Sequence, residues 1–225
     1  MYTIDTSTIL HFIQTLWALV TGAMKLDPAA FEAIQAPGTD LLTVTVLFLA
    51  GISEELGQSV VLLANRVKPG RFVMSLLLNG LIFILGVFIV GGTTWITAKV
   101  LFHSQVPFFG VLRAVGLSYA PLLFSFLVLL PYMGTFINRT LSVWSILALL
   151  VALIATMHLV LWQALVCALM GWLLVQLLKY TLGWPVVALE RWLRRTTAGV
   201  SLTVGPQDLM ETITENIIDN AKGGK

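Results

Sequence analysis

Four polar residues stand close together in an otherwise apolar segment, with the spacing of one helical face. Glu54 and Gln58 are one helical turn apart, as are Glu55 and Ser59. Acids inside a membrane are candidates for binding protons or ions, because an unpaired charge is costly there. A carboxylate pair is not a catalytic signature by itself, and no metal-ligand spacing or substrate-binding motif accompanies this one. The sequence therefore predicts a polar intramembrane site at these residues and no enzyme activity.

The segment that carries these acids, 41–64, has two possible placements. Its thirteen Leu, Ile, Phe or Val residues favour insertion by about 4 to 8 kcal/mol, whereas two acids at mid-helix cost about 5 to 7 kcal/mol. Because the sum is near zero, both placements stay open. In the first placement, the segment crosses the membrane, and its polar stripe (Glu54, Glu55, Gln58 and Ser59) faces a bundle interior or cavity. In the second, the latter half of the segment lies at the interface, and the acids are in water.

The composition places the rest of the chain in lipid. Of 225 residues, 58% are hydrophobic and 11% are charged, against about 25% charged in average soluble domains. No acid occurs between Phe72 and Leu178, where the formal charges are Lys99, Arg113 and Arg139. A soluble core of this size could not hide so much apolar surface. We therefore predict an all-α fold, a polytopic helical membrane bundle of four to five transmembrane helices with amphipathic terminal helices.

The predicted transmembrane domain covers residues 41–180. Besides the open segment 41–64, its expected spans are 72–98, 114–137, 141–157 and 160–178. The last two are separated because a single helix over 141–178 would extend about 57 Å, nearly twice a hydrocarbon core of about 30 Å. The break is placed near Met157-His158, although no Gly or Pro marks it.

The N-terminal region, 1–40, reads as amphipathic and interfacial. Leu10, Ile13, Trp17 and Val20 share one face of a helix over 7–25, which indicates a helix that lies at the interface or docks on a partner. Residues 27–40 contain two prolines and a glycine and predict a short helix followed by a linker.

The C-terminal region, 181–225, is predicted to be a cytoplasmic amphipathic tail, because cations concentrate there and in the loop 65–71. Residues expected at lipid headgroups are Arg66, Lys68, Arg71, Trp184, Arg191, Trp192, Arg194 and Arg195. A second helix, 206–221, is acidic outside one apolar face, which favours docking on protein through Leu209, Ile213 and Ile217.

Other polar residues predict structural roles. The three histidines are far apart and Cys167 is the single cysteine, so no metal site and no cofactor are expected. No Lys/Arg cluster is long enough to indicate nucleic-acid binding. Asn79 and Gln163 are expected to make hydrogen bonds between helices. Lys99, Arg113 and Arg139 either pair with Glu54 or Glu55 or, as we expect, extend towards lipid headgroups.

Two stretches resemble the Yip1 family of multi-span membrane proteins. VLRAVGLSYAPLLFSFLVLLPYMG (111–134) has an Arg-containing, small-residue run that leads to Pro121 and then Pro131. VWSILALLVALIATMHLVLWQALVCALMGWLLV (143–175) has a Trp-led span, a short turn and a second span entered through Gln163. The resemblance implies a five-span bundle and a role in membrane organisation or trafficking through partner proteins, without catalysis. The N-terminal motifs of the eukaryotic members are not found, and the basic C-terminal extension departs from them.

These observations predict a non-catalytic integral membrane protein that acts by protein–protein binding, as a scaffold, an assembly factor or an accessory subunit. Its expected partners are the lipid bilayer and other membrane proteins or further copies of itself. The alternative is a small transporter or channel that uses Glu54 and Glu55. We expect it in a bacterial inner or internal membrane, with a cytoplasmic C-terminus.

Overall fold

The computed structural model describes residues 2, 4, 7–58, 69–130 and 132–181. All of them belong to the first of two compact units, Met1–Val186, and the second unit is Val187–Lys225. The described residues form helices and no strand, which confirms the predicted all-α class. The helices are α1 (Ile9–Met24), α2 (Pro28–Ala33), α3 (Asp40–Gln58), α4 (Pro69–Phe102), α5 (Phe108–Ser118), a 3-10 helix (Ala120–Leu129), α6 (Gly134–Met157) and α7 (Leu161–Thr181).

Three stretches of these helices are long and apolar enough to cross a membrane. They are Phe72–Phe102 in α4, Phe108–Leu129 over α5 and the 3-10 helix, and Gly134–Met157, which is α6. Ile9–Met24 and Leu161–Leu174 are shorter apolar helices. Length and composition thus support a membrane protein with three spans, and the larger number of four to five spans stays a prediction.

The N-terminal helices are joined by a tight turn. The Asp27 carboxylate caps α2, because its Oδ1 accepts a hydrogen bond from Ala29 N at 3.0 Å. Its Oδ2 accepts a second one from the Tyr2 hydroxyl at 2.8 Å. Burial and the neighbouring Asp27 carboxylate raise the pKa of Tyr2 above its ordinary value of 10.0, so this hydroxyl stays a donor at neutral pH. Val20, predicted to share one face with Leu10, Ile13 and Trp17, is buried while those three are exposed, because the second half of α1 packs on the bundle.

Helix boundaries differ from the expected spans in the middle of the chain. Pro107 is the N-cap of α5, which therefore starts at Phe108 rather than at 114. α6 starts at Gly134 rather than at 141. The polar side chains of that first part fit a helix, because Thr140 Oγ1 donates to Phe136 O at 2.9 Å within it.

A break separates α6 from α7 near the position expected from length. His158 follows the last residue of α6 with a left-handed backbone, φ 53°. Histidine is one of the non-glycine residues that adopt this conformation more often than most, so the helix ends without Gly or Pro. At the start of α7, Gln163 Oε1 accepts from Val160 N at 3.2 Å. Gln163 therefore caps a helix locally, which differs from the interhelical bond that we expected.

α3 packs lengthwise along α4 and the 3-10 helix, while α2 and α5 pack on α6, and α4 packs on α7. The buried side chains form two clusters. One joins the N-terminal helices to the bundle through Phe31, Leu42 and Leu117. The other lies between α3 and the later helices and includes Leu47 and Leu153. Because α3 contributes to both clusters, it is part of the core and not an appendage.

Candidate functional site

The second half of α3 presents its small and polar residues to its neighbours. Gly51, Ser53, Glu55 and Gly57 are buried there. The Glu55 side chain is held by α4, because Asn79 Nδ2 donates a hydrogen bond to Glu55 Oε2. Glu55 is only 7% exposed. The prediction that Asn79 makes a bond between helices is therefore confirmed, and its partner is one of the two acids.

Ser53 binds the 3-10 helix through both functions of its hydroxyl. Its Oγ donates to Leu123 O at 2.8 Å and accepts from Phe126 N at 3.0 Å. In a 3-10 turn these two backbone groups are partners three residues apart. The helix has 10 residues, whereas such helices rarely exceed three or four. Ser53 thus stabilises an unusually long 3-10 helix, a structure whose hydrogen-bond geometry is poorer than that of an α-helix.

Glu54 has a different environment from Glu55. It is half-buried and lies within electrostatic range of Tyr119, the residue that ends α5. The Tyr119 ring meets the edge of Phe83, with ring centroids 5.4 Å apart. Glu54 therefore lies near Tyr119, whereas Glu55 is held by Asn79 of α4.

The position of Glu55 bears on the two placements of this segment. Asn79 lies inside the candidate span Phe72–Phe102. Since α3 packs on that span and on the 3-10 helix, Glu55 faces the bundle. This arrangement favours the placement in which the stripe faces the bundle interior. The side chain of Gln58 and all of Ser59 lie outside the described residues.

Replacing Glu55 tests the role of its bond to Asn79. Glu55→Ala leaves the amide without this acceptor, and we expect it to lower the free energy of unfolding by about 0.6 to 1.7 kcal/mol, the range for hydrogen bonds between membrane helices. Glu55→Gln keeps an acceptor and should lose less. Unfolding by SDS in mixed micelles measures both changes. Glu32→Ala, at an exposed position of α2, is the control, and an equal effect of all three changes would contradict the assignment.

A second polar cluster joins α5 to the connection between α2 and α3. Arg113 Nε lies 2.6 Å from Asp40 Oδ1, and its Nη2 donates to Oδ2 at 3.2 Å. Its Nη1 also donates to Gln35 O at 3.1 Å and Ala36 O at 3.4 Å. The Gln35 side chain donates in turn to Gly110 O at 3.0 Å. The expectation that Arg113 extends to headgroups is therefore wrong, because an acid and two carbonyl groups lie within reach.

Aromatic side chains complete the polar contacts. Lys99 Nζ lies 4.7 Å from the centre of the Trp95 ring, a cation–π contact. Trp95 Nε1 donates to Val106 O at 3.1 Å, which fastens α4 to the segment before α5. Trp144 Nε1 donates to Met24 O at 2.9 Å and ties α6 to the end of α1. The Trp144 indole therefore joins two helices, and the Trp95 indole joins a helix to the segment that leads into α5.

The other predicted site residues are not described by the structure. The headgroup and docking residues that lie outside the described ranges are Arg66, Lys68, Trp184, Arg191, Trp192, Arg194, Arg195, Leu209, Ile213 and Ile217. Arg71 belongs to α4, but its side chain is not described. Within the described ranges, no group of three or more His, Cys, Asp or Glu residues is placed to hold a metal ion.

Over the residues that the structure describes, the fold and contacts define an all-helical protein with three stretches fit to cross a membrane. Comparison with protein-family models, with curated proteins and with solved structures gives no match. Its function must therefore be inferred from the helices and the contacts themselves.

Proposed function

We propose that this is a non-catalytic integral membrane protein that acts by binding other proteins, as a scaffold, assembly factor or accessory subunit. The observation that supports it is the use of its polar side chains. Arg113 binds Asp40 and two carbonyl groups, and Glu55 binds Asn79. Ser53 binds the backbone of the 3-10 helix. Residues with the chemistry for catalysis or transport thus hold helices of the same chain together.

The proposal includes α3 as a further membrane span. α3 has 19 residues, and at about 1.5 Å per residue it extends roughly 28 Å, close to the hydrocarbon thickness. It begins beside Arg113 near the start of α5 and ends beside the 3-10 helix, so it follows the candidate span Phe108–Leu129 along its length. The cost of its acids is reduced because Glu55 is paired within the bundle.

The resemblance to the Yip1 family implies the same kind of role, and membership in it stays a prediction. The docking surface that we propose is the apolar face, with Leu209, Ile213 and Ile217, of the helix that the sequence predicts at 206–221, outside the described residues. Its acidic remainder favours a protein partner over anionic lipid.

Cross-linking in native membranes, followed by purification and mass spectrometry, tests this role. We expect the full chain to yield a defined cross-linked partner that is lost when Leu209, Ile213 and Ile217 are all changed to Gln. The matched control changes Glu211 and Glu215 of the same helix to Gln, and it should keep the partner. A chain recovered only as an uncross-linked monomer would count against the proposal.

A small transporter or channel is the second candidate, because Glu55 is a buried carboxyl group beside a candidate span. It requires a proton or ion flux in proteoliposomes that falls when Glu55 is changed to Gln. Under the leading proposal, neither the wild-type chain nor the Glu55→Gln variant carries a flux above that of empty liposomes. A wild-type flux that Glu55→Gln abolishes and Glu32→Gln preserves would reverse the order of the two candidates.

A further inference from the structure

α1 has three different sides. Successive residues of an α-helix are separated by about 100° around its axis. One sector, with Thr15, Leu19 and Ala23, is buried against the bundle. The neighbouring sector is apolar but open, and its members are each more than half exposed: Ile9, Leu10, Ile13 and Trp17. The third sector is exposed and polar and contains His11 and Gln14, and exposed Ser7 adjoins it from just before the helix. Ser7 and His11 lie within 3.5 Å of each other.

α1 is attached to the side of a candidate span. Its last residue, Met24, accepts a hydrogen bond from Trp144 of α6 at 2.9 Å. Its buried residues Leu19 and Ala23 share one cluster with Ala148 of the same span. The medium that surrounds α6 therefore also contacts the open apolar sector of α1. Around a spanning helix that surrounding medium is lipid.

Length and charge fit a helix that lies in the membrane surface. The 16 residues of α1 extend about 24 Å, which is short for a core of roughly 30 Å. Ile9–Met24 contains no formally charged residue, and exposed Lys25 follows directly. A cation at this end suits anionic headgroups. Trp17 belongs to the residue type enriched at the boundary between headgroups and acyl chains.

We propose that α1 lies at the boundary between lipid headgroups and acyl chains. Its sector with Ile9, Leu10, Ile13 and Trp17 contacts acyl chains, and its sector with Gln14 faces water. Such a helix, apolar on one side and polar on another, is the pattern of interfacial membrane helices. This inference concerns the N-terminal region and does not depend on the proposed binding function, whose docking face is placed in the C-terminal tail.

Spin labels at neighbouring positions test the proposal. Cys167 is the single cysteine, so Cys167→Ala gives a background for one added cysteine in the full chain. Labels at Leu10 and Ile13 probe the apolar sector, and labels at Ser7 and Gln14 are matched controls on the polar sector. The chain is reconstituted in vesicles of phosphatidylcholine and phosphatidylglycerol, and collisions with oxygen and with a water-soluble nickel chelate are compared by EPR.

We expect the ratio of oxygen to nickel collisions to be several-fold higher at Leu10 and Ile13 than at Ser7 and Gln14. Similar ratios with high nickel accessibility at all positions would place α1 in water and overturn the proposal. Labels at Leu10 and Ile13 that neither reagent reaches, with dipolar broadening between spins, would show that a second copy covers the sector instead. Both Leu10 and Ile13 are exposed, so a label at either should not disturb the fold. If a label at one of them prevents folding, the other position supplies the measurement.

Discussion

A single methyl group added at Gly51 is expected to lower the free energy of unfolding by about 1 to 3 kcal/mol. A Cβ atom at this position in α3 would lie 2.7 Å from Phe83 Cβ and 2.9 Å from Gly80 Cα in α4. Neither atom is the end of a flexible side chain. The two helices must therefore move apart to admit the methyl group, and both dispersion contacts and the bond between Glu55 and Asn79 are weakened.

Gly86→Ala in α4 is the control for Gly51→Ala. No heavy atom would lie within 4 Å of a Cβ at Gly86, which is exposed. Alanine favours a helix interior over glycine by up to about 1 kcal/mol, so Gly86→Ala should be neutral or stabilising. The same helical gain applies at Gly51 and is smaller than the expected steric cost. SDS unfolding in mixed micelles measures both variants, and equal changes would show that α3 and α4 do not approach closely.

The helical class follows from the sequence because long apolar runs without acids need lipid around them. The position of α3 does not follow, because its insertion sum is near zero and contacts with other helices decide it. Ile52 and Leu56 are apolar and one helical turn apart on α3, yet these two are only half-buried. In the second half of α3 the buried residues are instead Gly51, Ser53, Glu55 and Gly57. Membrane bundles pack small and polar residues inwards, whereas hydropathy counts such residues as unfavourable.

Contacts between helices that are distant in the chain also could not be predicted from the sequence. The close approach of α3 and α4 uses Gly51 and Gly80, which lie in different helices, and Gly91 of α4 lies close to Leu112 of α5. Periodicity within one helix cannot show which residue of another helix is opposite. The same holds for Arg113 and Asp40, which are separated by 73 positions. One could foresee that Arg113 needs an acceptor, but the acid that supplies it could be found only from the fold.

Arg113→Ala is expected to lower the free energy of unfolding by about 2 to 3 kcal/mol, the upper range for hydrogen bonds that involve a charged group. The Arg113 side chain is 18% exposed, whereas that of Asp40 is 59% exposed. Water therefore screens the ion pair, which contributes only about 0 to 1 kcal/mol. The larger share comes from the carbonyl group of Gln35, which loses this donor, whereas Ala36 O keeps a hydrogen bond from Thr39 Oγ1 at 2.8 Å. Asp40→Asn should accordingly have a much smaller effect than Arg113→Ala.

Arg113→Lys separates charge from geometry. A lysine keeps the positive charge, but its single ammonium group cannot reproduce the planar fork that reaches Asp40 and both carbonyl groups together. If Arg113 mainly served lipid headgroups, lysine would restore stability. If it joins α5 to the α2–α3 connection, lysine should recover less than half of the loss, and amide hydrogen exchange should rise at 35–43 before it rises in the 3-10 helix.

Arg139→Ala, at an exposed position of α6, should change stability by less than about 0.5 kcal/mol. A loss at Arg139 as large as that at Arg113 would mean that removal of any cation destabilises the bundle, and the specific role of Arg113 would be rejected.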